Sequence, residues 1–317
     1  MINGNHRTAA IEGLLDASIS QKIAPGFSVG IGDGEEFSTI TSGNRTYAGS
    51  SEKLKGDELW DIASLTKVVA TFPAAMRLFF QMKVDLEDRL GRYLGLVERT
   101  ELAEIKIRHL LTHEAGFSGA IEFHKEAKSK NELIQLLLKQ NVTYDPGTIR
   151  IYDDASYILL GLLIESLSGM TLDECARQLV FYPLGMLDTQ FSPISAEEGA
   201  RVIPTEIDRE SGRIVCGTVH DENARVLGGA AGHAGLFSTV DDLGRYCRWF
   251  SGVMLGTDKS MDVGFSDFLA RSVRQNTKTQ NGVVYTLAWD VFDPRYSANT
   301  QSLWLTHTGF TGTPIYV

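Results

Sequence analysis

The chain has 317 residues, of which 43% are apolar and 22% charged, as in ordinary folded proteins, so long disordered segments are not expected. This length allows one large domain or two closely packed lobes. The formal net charge of -10 argues against a nucleic-acid partner, because proteins that bind phosphate backbones concentrate Lys and Arg on one surface.

The sequence shows no targeting segment and no metal-ligand spacing. The N-terminal residues lack an apolar signal core, and no apolar run approaches the ~20 residues needed to cross a bilayer. We therefore expect a cytoplasmic protein with no membrane partner. Cys175, Cys216 and Cys247 are widely spaced and predict buried free thiols. No histidines stand at a metal-binding spacing, so we expect neither a metal nor a cofactor.

The first predicted element is a helix near residues 7–20. Two strands follow at 27–32 and 37–42, and a Gly-Asp-Gly turn joins them into a hairpin. A long helical pattern starts near Asp61 and should kink at Pro73, which lacks a backbone N–H. Further helical patterns make the middle of the chain mainly helical, near 101–112, 131–140, 155–168 and 171–180.

After a glycine-rich segment at 227–236, the pattern returns to mixed structure. A helix is predicted near 239–250, and strands at 283–291, 302–306 and the final residues 315–317. The expected fold class is α/β (α+β), with an antiparallel sheet made from both chain ends and flanked by helices.

We assign the chain to two lobes. Residues 1–59 together with 226–317 form an α/β sheet lobe, and residues 60–225 form a mainly helical lobe. The cleft between two such lobes is a typical small-molecule site, so we expect the functional site there.

The strongest chemical signal is a Ser-x-x-Lys motif formed by Ser64 and Lys67. Residues three apart on a helix share a face, so the hydroxyl and the amine can touch. Serine is a weak nucleophile until a base removes its proton, and a lysine whose pKa is lowered by burial can be that base. The motif alone is weak evidence, because Ser50 and Lys53 form a second copy in a predicted polar loop.

A pair of later motifs indicates that the Ser-x-x-Lys motif is functional. Tyr152 and Asp154 form a Tyr-x-Asp element, and His307, Thr308 and Gly309 follow on a predicted strand. Ser-x-x-Lys, then Ser-Asp-Asn or Tyr-x-Asn, then Lys-Thr-Gly is the signature of β-lactamases and penicillin-binding proteins, and this sequence resembles that family. The tyrosine-bearing version looks like the class C branch and its esterase relatives.

Other segments similar to this branch are spread over residues 20–317, at 107–113, 146–148, 157–161, 182–186 and 232–239. The resemblance implies a β-lactamase/transpeptidase-like fold. It also implies that Ser64 forms an acyl-enzyme, that Lys67 and Tyr152 shuttle its proton, and that His307 lines the pocket. The oxyanion hole would then be the backbone N–H groups of Ser64 and Phe310, and the implied substrate-binding residues are Asp154, Thr308 and Gly309.

Two features depart from the family pattern. Asp154 stands where many members have Asn, and an ionised carboxylate cannot donate to an acylamido carbonyl. The carboxylate would also favour a protonated Lys67. Only eight residues follow Gly309, whereas family members usually continue with further strands and a helix, so we expect these C-terminal elements to be absent and a sheet edge to be left open.

The leading hypothesis is a serine hydrolase that cleaves an ester or amide in a small ester, a D-amino-acid peptide or a muropeptide. One alternative is β-lactam hydrolysis, which Asp154 disfavours. Another is a binding protein that is acylated without turnover, or that holds muropeptides without cleaving them. His220 and His233 resemble a subgroup that acts on muropeptides, but a role in stabilising a loop is an equal alternative. His109 and His113 are interpreted as helix-end residues outside the site.

Overall fold

The computed structural model describes residues 4–33, 36–47, 52–97, 100–195, 197–208, 212–258, 261–291 and 304–317. Within these ranges the α-helices are α1 (Gly4–Ser20), α2 (Phe72–Met82), α3 (Ile107–Leu111), α4 (Lys130–Leu138), α5 (Ala155–Ser168), α6 (Leu172–Ala176), α7 (Tyr182–Leu184), α8 (Glu222–Val226), α9 (Val240–Leu255) and α10 (Val263–Gln275). The mainly helical middle of the chain agrees with the sequence prediction.

The strands form four separate antiparallel groups in the described residues. In chain order they are β1 (Gly26–Gly32), β2 (Phe37–Gly43), β3 (Trp60–Asp61), β4 (Gln190–Phe191), β5 (Glu206–Ile207), β6 (Ile214–Val215), β7 (Leu236–Ser238), β8 (Lys278–Gln280), β9 (Val283–Tyr285), β10 (Asp290–Val291), β11 (Leu305–Gly309) and β12 (Thr313–Tyr316). The groups are β1-β2, β3-β7-β4, β5-β6 and β12-β11-β10-β9-β8. Residues 302 and 303 of the predicted strand at 302–306 lie outside the described residues.

In the described residues, the strands from the two chain ends form separate antiparallel groups and not the single hydrogen-bonded sheet that the sequence suggested. The predicted hairpin is present, with β1 and β2 paired from Gly26 opposite Gly43 to Gly32 opposite Phe37. A groove of about 900 Å³ involves this hairpin, α9 and the β12 end of the five-stranded sheet. Its lining includes Trp249, and the two sheets are separate in the part of the chain that is described.

The helix that carries the Ser-x-x-Lys motif starts at residue 65, four residues later than predicted. Asp61 belongs to β3, where it pairs with Phe237 of β7. The kink expected at Pro73 takes the form of a wider π-helical turn over Lys67–Thr71, in which the Phe72 N–H binds the carbonyl oxygen of Lys67. A proline near the start of α2 cannot donate to the preceding turn, which is consistent with this local change of helix type.

Helix α5 lies at the centre of the apolar core and contacts α2, α3 and α6. Most of its side chains are buried on every face. In the described ranges no single helix is long and apolar enough to cross a membrane, while one pair of helical segments, Ala155–Ser168 and Leu172–Leu184, passes that test together with a 77° bend between them.

The three cysteines are free thiols. Cys175 is buried and Cys247 is half-buried, but Cys216 is exposed, so the prediction of burial is wrong for this residue. Cys216 directly follows β6, which belongs to an isolated two-stranded ribbon whose Ile214 is also exposed.

Candidate functional site

Ser64 lies on a tight turn between β3 and the helix that begins at residue 65. Three successive backbone hydrogen bonds build this turn, the last of them from the Lys67 N–H to the Ser64 carbonyl. Ala63 has a φ of 46°, an uncommon conformation for a residue with a side chain. The Lys67 ammonium lies 3.0 Å from Ser64 Oγ, so the hydroxyl and the amine of the motif are in contact.

The β11–β12 turn packs directly against this Ser64 turn. Thr311 Oγ1 donates to the Asp61 carbonyl at 2.6 Å, and Thr313 Oγ1 donates to the Ile62 carbonyl at 3.2 Å. A Cβ atom on Gly309 would lie 2.5 Å from the Ile62 carbonyl oxygen, closer than real contacts allow. Glycine at position 309 therefore permits the two segments to meet.

Lys67 is fully buried and its ammonium has three acceptors. These are Ser64 Oγ at 3.0 Å, Asp154 Oδ1 at 2.8 Å and the His233 carbonyl oxygen at 3.2 Å. Burial by itself lowers the pKa of Lys67, but Tyr152 and Asp154 outweigh it and raise that pKa well above its ordinary value. Lys67 is therefore an ammonium at neutral pH and donates to Ser64, in contrast to the burial-lowered base that Ser-x-x-Lys suggested.

Asp154 directly precedes α5 and supplies the carboxylate that binds Lys67. Burial alone raises its pKa, yet the charges of Lys67 and His233 and the hydrogen bond from Lys67 bring the net pKa of Asp154 below its ordinary value. The group is ionised at neutral pH and only accepts hydrogen bonds. An Asn at this position would carry no charge to stabilise the ammonium.

Tyr152 reaches Lys67 from the chain before α5. Its side chain is 44% exposed, and its ring lies 4.8 Å from the Lys67 ammonium and 6.0 Å from the His307 ring. The other neighbour of the ring is His113, at 4.5 Å between ring centroids. The Tyr152 side chain is thus partly exposed, while its ring packs against His113.

His113 was not predicted to belong to the site, yet it fixes the segment that carries Tyr152. Its Nδ1 accepts the Asp153 N–H at 3.2 Å, and its carbonyl accepts the Ile151 N–H at 3.0 Å. The imidazole lies between Tyr152 and Tyr157, and burial lowers its pKa. The Thr-His-Glu sequence after α3 was the available signal, but only the fold brings it to Tyr152.

His307 lies on β11 with only 6% of its surface exposed. Its Nδ1 lies 3.1 Å from the Thr308 carbonyl oxygen, which fits a neutral ring that donates from Nδ1. Burial, followed by the charge of Lys67, lowers the pKa of His307 to about 3. At neutral pH the third motif therefore contributes a neutral imidazole to the cleft and no positive charge.

The backbone N–H groups assigned to the oxyanion hole lie at the two turns that pack together. We find no hydrogen bond from the Ser64 or the Phe310 N–H to another residue in the described parts of the chain. Phe310 is 83% exposed, and its ring lies 5.3 Å from that of His220. Thr308 is also exposed, next to these donors.

A contact between a histidine and a second carboxylate lies behind Lys67. His233 Nε2 and Asp221 Oδ1 are 2.8 Å apart, and one ligand atom each from Asp154, Asp221 and His233 lies within 4.8 Å of the others. Two carboxylates and an imidazole are a donor set that could hold a metal ion. Here the Lys67 ammonium already binds Asp154, and its positive charge would repel a cation. We therefore interpret the cluster as an ion-pair network.

His220 lies at the border of the cleft. Its Nε2 lies 3.0 Å from a Glu206 carboxylate oxygen, and its backbone N–H donates to Asp61 Oδ2 at 2.7 Å. Asp61 in turn accepts the Ala63 N–H at 2.9 Å. His220 thus belongs to the network that stabilises the Ser64 turn. His109, by contrast, makes no contact with Ser64, Lys67 or Tyr152 among the interactions found in the described residues.

Comparison with known proteins gives consistent results. A protein of Escherichia coli strain K12 named "Putative D-alanyl-D-alanine carboxypeptidase" is 28% identical over 287 residues, which cover 80% of this chain and 65% of that protein. A protein of the same name from Salmonella paratyphi A is 29% identical over the same coverage. This chain thus spans 65% of the length of these curated relatives.

Solved structures with the same fold cover almost the whole chain. They include a class C beta-lactamase (TM-score 0.78, 17% identity, 98% of this chain and 86% of that chain) and a D-alanine carboxypeptidase from Burkholderia cenocepacia (0.77, 19%, 99% and 90%). A third is an octameric penicillin-binding protein homologue from Pyrococcus abyssi (0.76, 20%, 97% and 69%). The family model described as Beta-lactamase matches residues 11–317. This chain belongs to the Beta-lactamase family.

Proposed function

We propose that this protein is a serine hydrolase that cleaves an amide or ester bond through an acyl-enzyme on Ser64. The observation that carries the proposal is the contact of 3.0 Å between Ser64 Oγ and a buried Lys67 whose charge Asp154 balances. Burying a charged lysine next to a half-buried serine is costly for stability alone. A polar cluster of this kind in a cleft is typical of a functional site.

In the proposed acylation step, Ser64 Oγ bonds to the substrate carbonyl carbon as its proton passes to the Lys67–Tyr152 pair. The two groups interact, because the Tyr152 ring lies 4.8 Å from the Lys67 ammonium and Tyr152 contributes to the raised pKa of Lys67. The active form of the pair lacks one proton, and Asp154 favours keeping the remaining proton on Lys67. The tyrosine oxygen then accepts the proton of Ser64 and passes it to the leaving oxygen or nitrogen.

The negative oxygen that forms in this step needs hydrogen-bond donors. We assign this role to the backbone N–H groups of Ser64 and Phe310, because neither is engaged by another described residue. One such donor is typically worth about 3 kcal/mol, or roughly a hundredfold in rate. In deacylation, water takes the place of the leaving group: it gives one proton to the pair and its oxygen bonds to the acyl carbon. The bond between the acyl carbon and Ser64 Oγ then breaks, and the proton returns to Ser64 Oγ.

For the substrate class we propose D-alanyl peptides first. The curated relatives named for D-alanyl-D-alanine carboxypeptidase activity support this choice. The neutral His307 offers no charge for a substrate carboxylate at the third motif, so small esters and internal D-peptide bonds stay within the proposal. A β-lactamase is the rival enzyme class, and Asp154 disfavours it because a carboxylate cannot donate to an acylamido carbonyl.

The proposed function is tested by intact-mass analysis after incubation with a fluorophosphonate. We expect one adduct on the wild type and none on Ser64→Ala. Ser50→Ala is the matched control and should label fully, since it changes the serine of the second Ser-x-x-Lys copy; Ser50 lies outside the described residues. A folded wild type without an adduct, or an adduct that persists in Ser64→Ala, would refute the proposal.

Turnover assays then separate the candidate classes. Release of D-alanine from a D-alanyl-D-alanine peptide would support a carboxypeptidase, and fast hydrolysis of nitrocefin would support a β-lactamase. A stoichiometric burst without turnover would instead support a protein that is acylated but does not deacylate.

A further inference from the structure

His233 connects Lys67 to a second residue behind it. Its backbone carbonyl accepts a hydrogen bond from the Lys67 ammonium at 3.2 Å. Its imidazole Nε2 lies 2.8 Å from Asp221 Oδ1. The His233 ring is 1% exposed, whereas the Asp221 side chain is 29% exposed, so the contact is buried on the histidine side. One residue therefore binds Lys67 through its backbone and Asp221 through its side chain.

The loop that carries His233 has little freedom to adjust. Thr71 Oγ1 donates to the Gly232 carbonyl at 2.6 Å. A Cβ atom on Gly232 would lie 1.9 Å from the Tyr157 carbonyl oxygen, which shows how closely the loop packs on α5. A movement of the His233 ring would therefore displace the carbonyl that binds Lys67.

Asp221 is itself fixed at the start of α8. Its carboxylate accepts the Ala224 N–H at 2.8 Å and caps the helix. Burial alone raises the pKa of Asp221, but His233, the Ala224 N–H and the charge of Lys67 hold that pKa well below its ordinary value. Asp221 is thus a permanent negative charge whose interaction with Lys67 adds to that of Asp154.

We infer that Asp221 and His233 are positioning residues for Lys67. Asp221 anchors the His233 ring, the anchored loop holds its carbonyl against the ammonium, and the Asp221 charge favours the protonated form of Lys67. This inference rests on the proposed function insofar as Lys67 takes part in the reaction. Neither residue needs to touch the substrate.

Several titratable groups face Lys67, and any pH effect must be read against all of them. They come from the chain before α5, α5 itself, the loop after α3, β11, the start of α8 and the glycine-rich loop: Tyr152, Asp154, Tyr157, His113, His307, Asp221 and His233. A substitution of Asp221 alters one charge in this set and leaves the other six groups in place.

The first test compares Asp221→Asn with Asp221→Ala in the rate of fluorophosphonate labelling across pH. Asn still caps the helix and accepts from His233 but lacks the charge. We expect Asp221→Asn to move the acidic limb of the labelling-rate profile to a pH about half a unit lower. The reason is that the loss of a negative charge makes the Lys67–Tyr152 pair easier to deprotonate. Asp221→Ala should also lower the maximal rate about tenfold through misplacement of Lys67.

Asp262→Ala is the matched control, since Asp262 caps α10 in the same way and is exposed. Asp262→Ala should lose about as much unfolding free energy as Asp221→Ala, while its labelling rate and pH profile remain those of the wild type. The inference would be overturned if Asp221→Asn kept the acidic limb of the wild-type labelling profile and Asp221→Ala labelled within twofold of the wild-type rate.

A measurement that needs no activity separates this inference from the proposed function. Urea unfolding of Lys67→Met, Asp221→Asn and the double variant forms a thermodynamic cycle. We expect the unfolding constant of the double variant to differ at least about threefold from the product of the single effects, because the two charges interact. Additive effects within error would refute the coupling. A wild type that shows the coupling but no Ser64-dependent label would refute only the proposed function.

Discussion

The Lys67 ammonium and the Asp154 carboxylate are 2.8 Å apart, and Lys67 is completely buried while Asp154 retains 23% of its side-chain exposure. This pair determines the charge of the group that contacts Ser64. Because the pKa of Lys67 is raised and that of Asp154 is lowered, both are ionised at neutral pH. The proton of Ser64 therefore needs an acceptor other than a neutral lysine, and the Tyr152 oxygen is the group we assign.

Asp154→Asn should alter both the pH profile and the substrate range. Loss of the carboxylate lowers the pKa of Lys67, so we expect the acidic limb of ester hydrolysis to move down by about one unit or more. The new amide can donate to an acylamido carbonyl, so nitrocefin hydrolysis should rise relative to ester hydrolysis. Both changes are measured by steady-state kinetics from pH 5 to 9.

The control for this change is Asp173→Asn, which removes a half-buried ion pair with Arg177. It should leave the kinetics unchanged and cost about 1 kcal/mol of unfolding free energy or less. A pH profile of Asp154→Asn that coincides with that of the wild type would contradict the role we give to the carboxylate.

Gly309→Ala should disrupt the contact between the β11–β12 turn and the Ser64 turn. The added methyl group would lie 2.5 Å from the Ile62 carbonyl oxygen, so the segments must separate. We expect a loss of about 1–3 kcal/mol in unfolding free energy. The labelling rate of Ser64 should fall at least about tenfold, because the oxyanion donors lie on these two segments.

Gly199→Ala is the comparison, because no atom lies within 4 Å of its added Cβ. It should retain wild-type stability within about 0.5 kcal/mol and label at the wild-type rate. Equal behaviour of the two alanine variants in urea unfolding would show that the turns do not depend on glycine at position 309.

Much of the fold could be predicted because its patterns are local. The β1–β2 hairpin follows from alternating residues around a glycine turn, and α5 from an apolar run that ends before Gly169. Helix α10 was not predicted, although Asp262 caps it and its buried residues recur at helical spacing. Its polar outer face made the pattern weak. The separation of the two sheets is a long-range property that no local pattern reports.

The part of the candidate site that lies in sequence motifs could be predicted. Ser64, Lys67 and Asp154 were singled out from the sequence, and in the structure Lys67 contacts both of the others. The raised pKa of Lys67 depends on how burial compares with two neighbours, which spacing does not determine. His113 was missed for a similar reason, since its left-handed backbone and its packing on Tyr152 depend on the folded chain.

His113→Asn tests the support of the Tyr152 ring. His113 has a φ of 58°, and Asn tolerates this conformation better than most residues, so the backbone should survive while the ring contact is lost. We expect the labelling rate to fall about tenfold, because Tyr152 loses its fixed orientation. His124→Asn, at a half-buried histidine that contacts Asn223, is the control and should label at the wild-type rate. Equal rates in the two variants would contradict the role of His113.

His307 should make the protein less stable in acid. Its pKa is about 3 in the folded state and about 6.5 in an unfolded chain, so between these values only the unfolded chain binds the proton. The unfolding free energy therefore falls as the pH decreases through this window. From pH 7.5 to 4.5 the contribution is about 2–3 kcal/mol, and His307→Gln should remove it.

The measurement is urea unfolding of the wild type and His307→Gln at both pH values. Ser64→Ala, which leaves every titratable group in place, should lose as much stability as the wild type between the two pH values. The pH dependence of the unfolding free energy that remains in His307→Gln comes from other groups. One of them is His109, because burial lowers its pKa to about 4. If His307→Gln loses as much stability as the wild type, the imidazole is not held neutral by burial, and the third motif does offer a positive charge to the substrate.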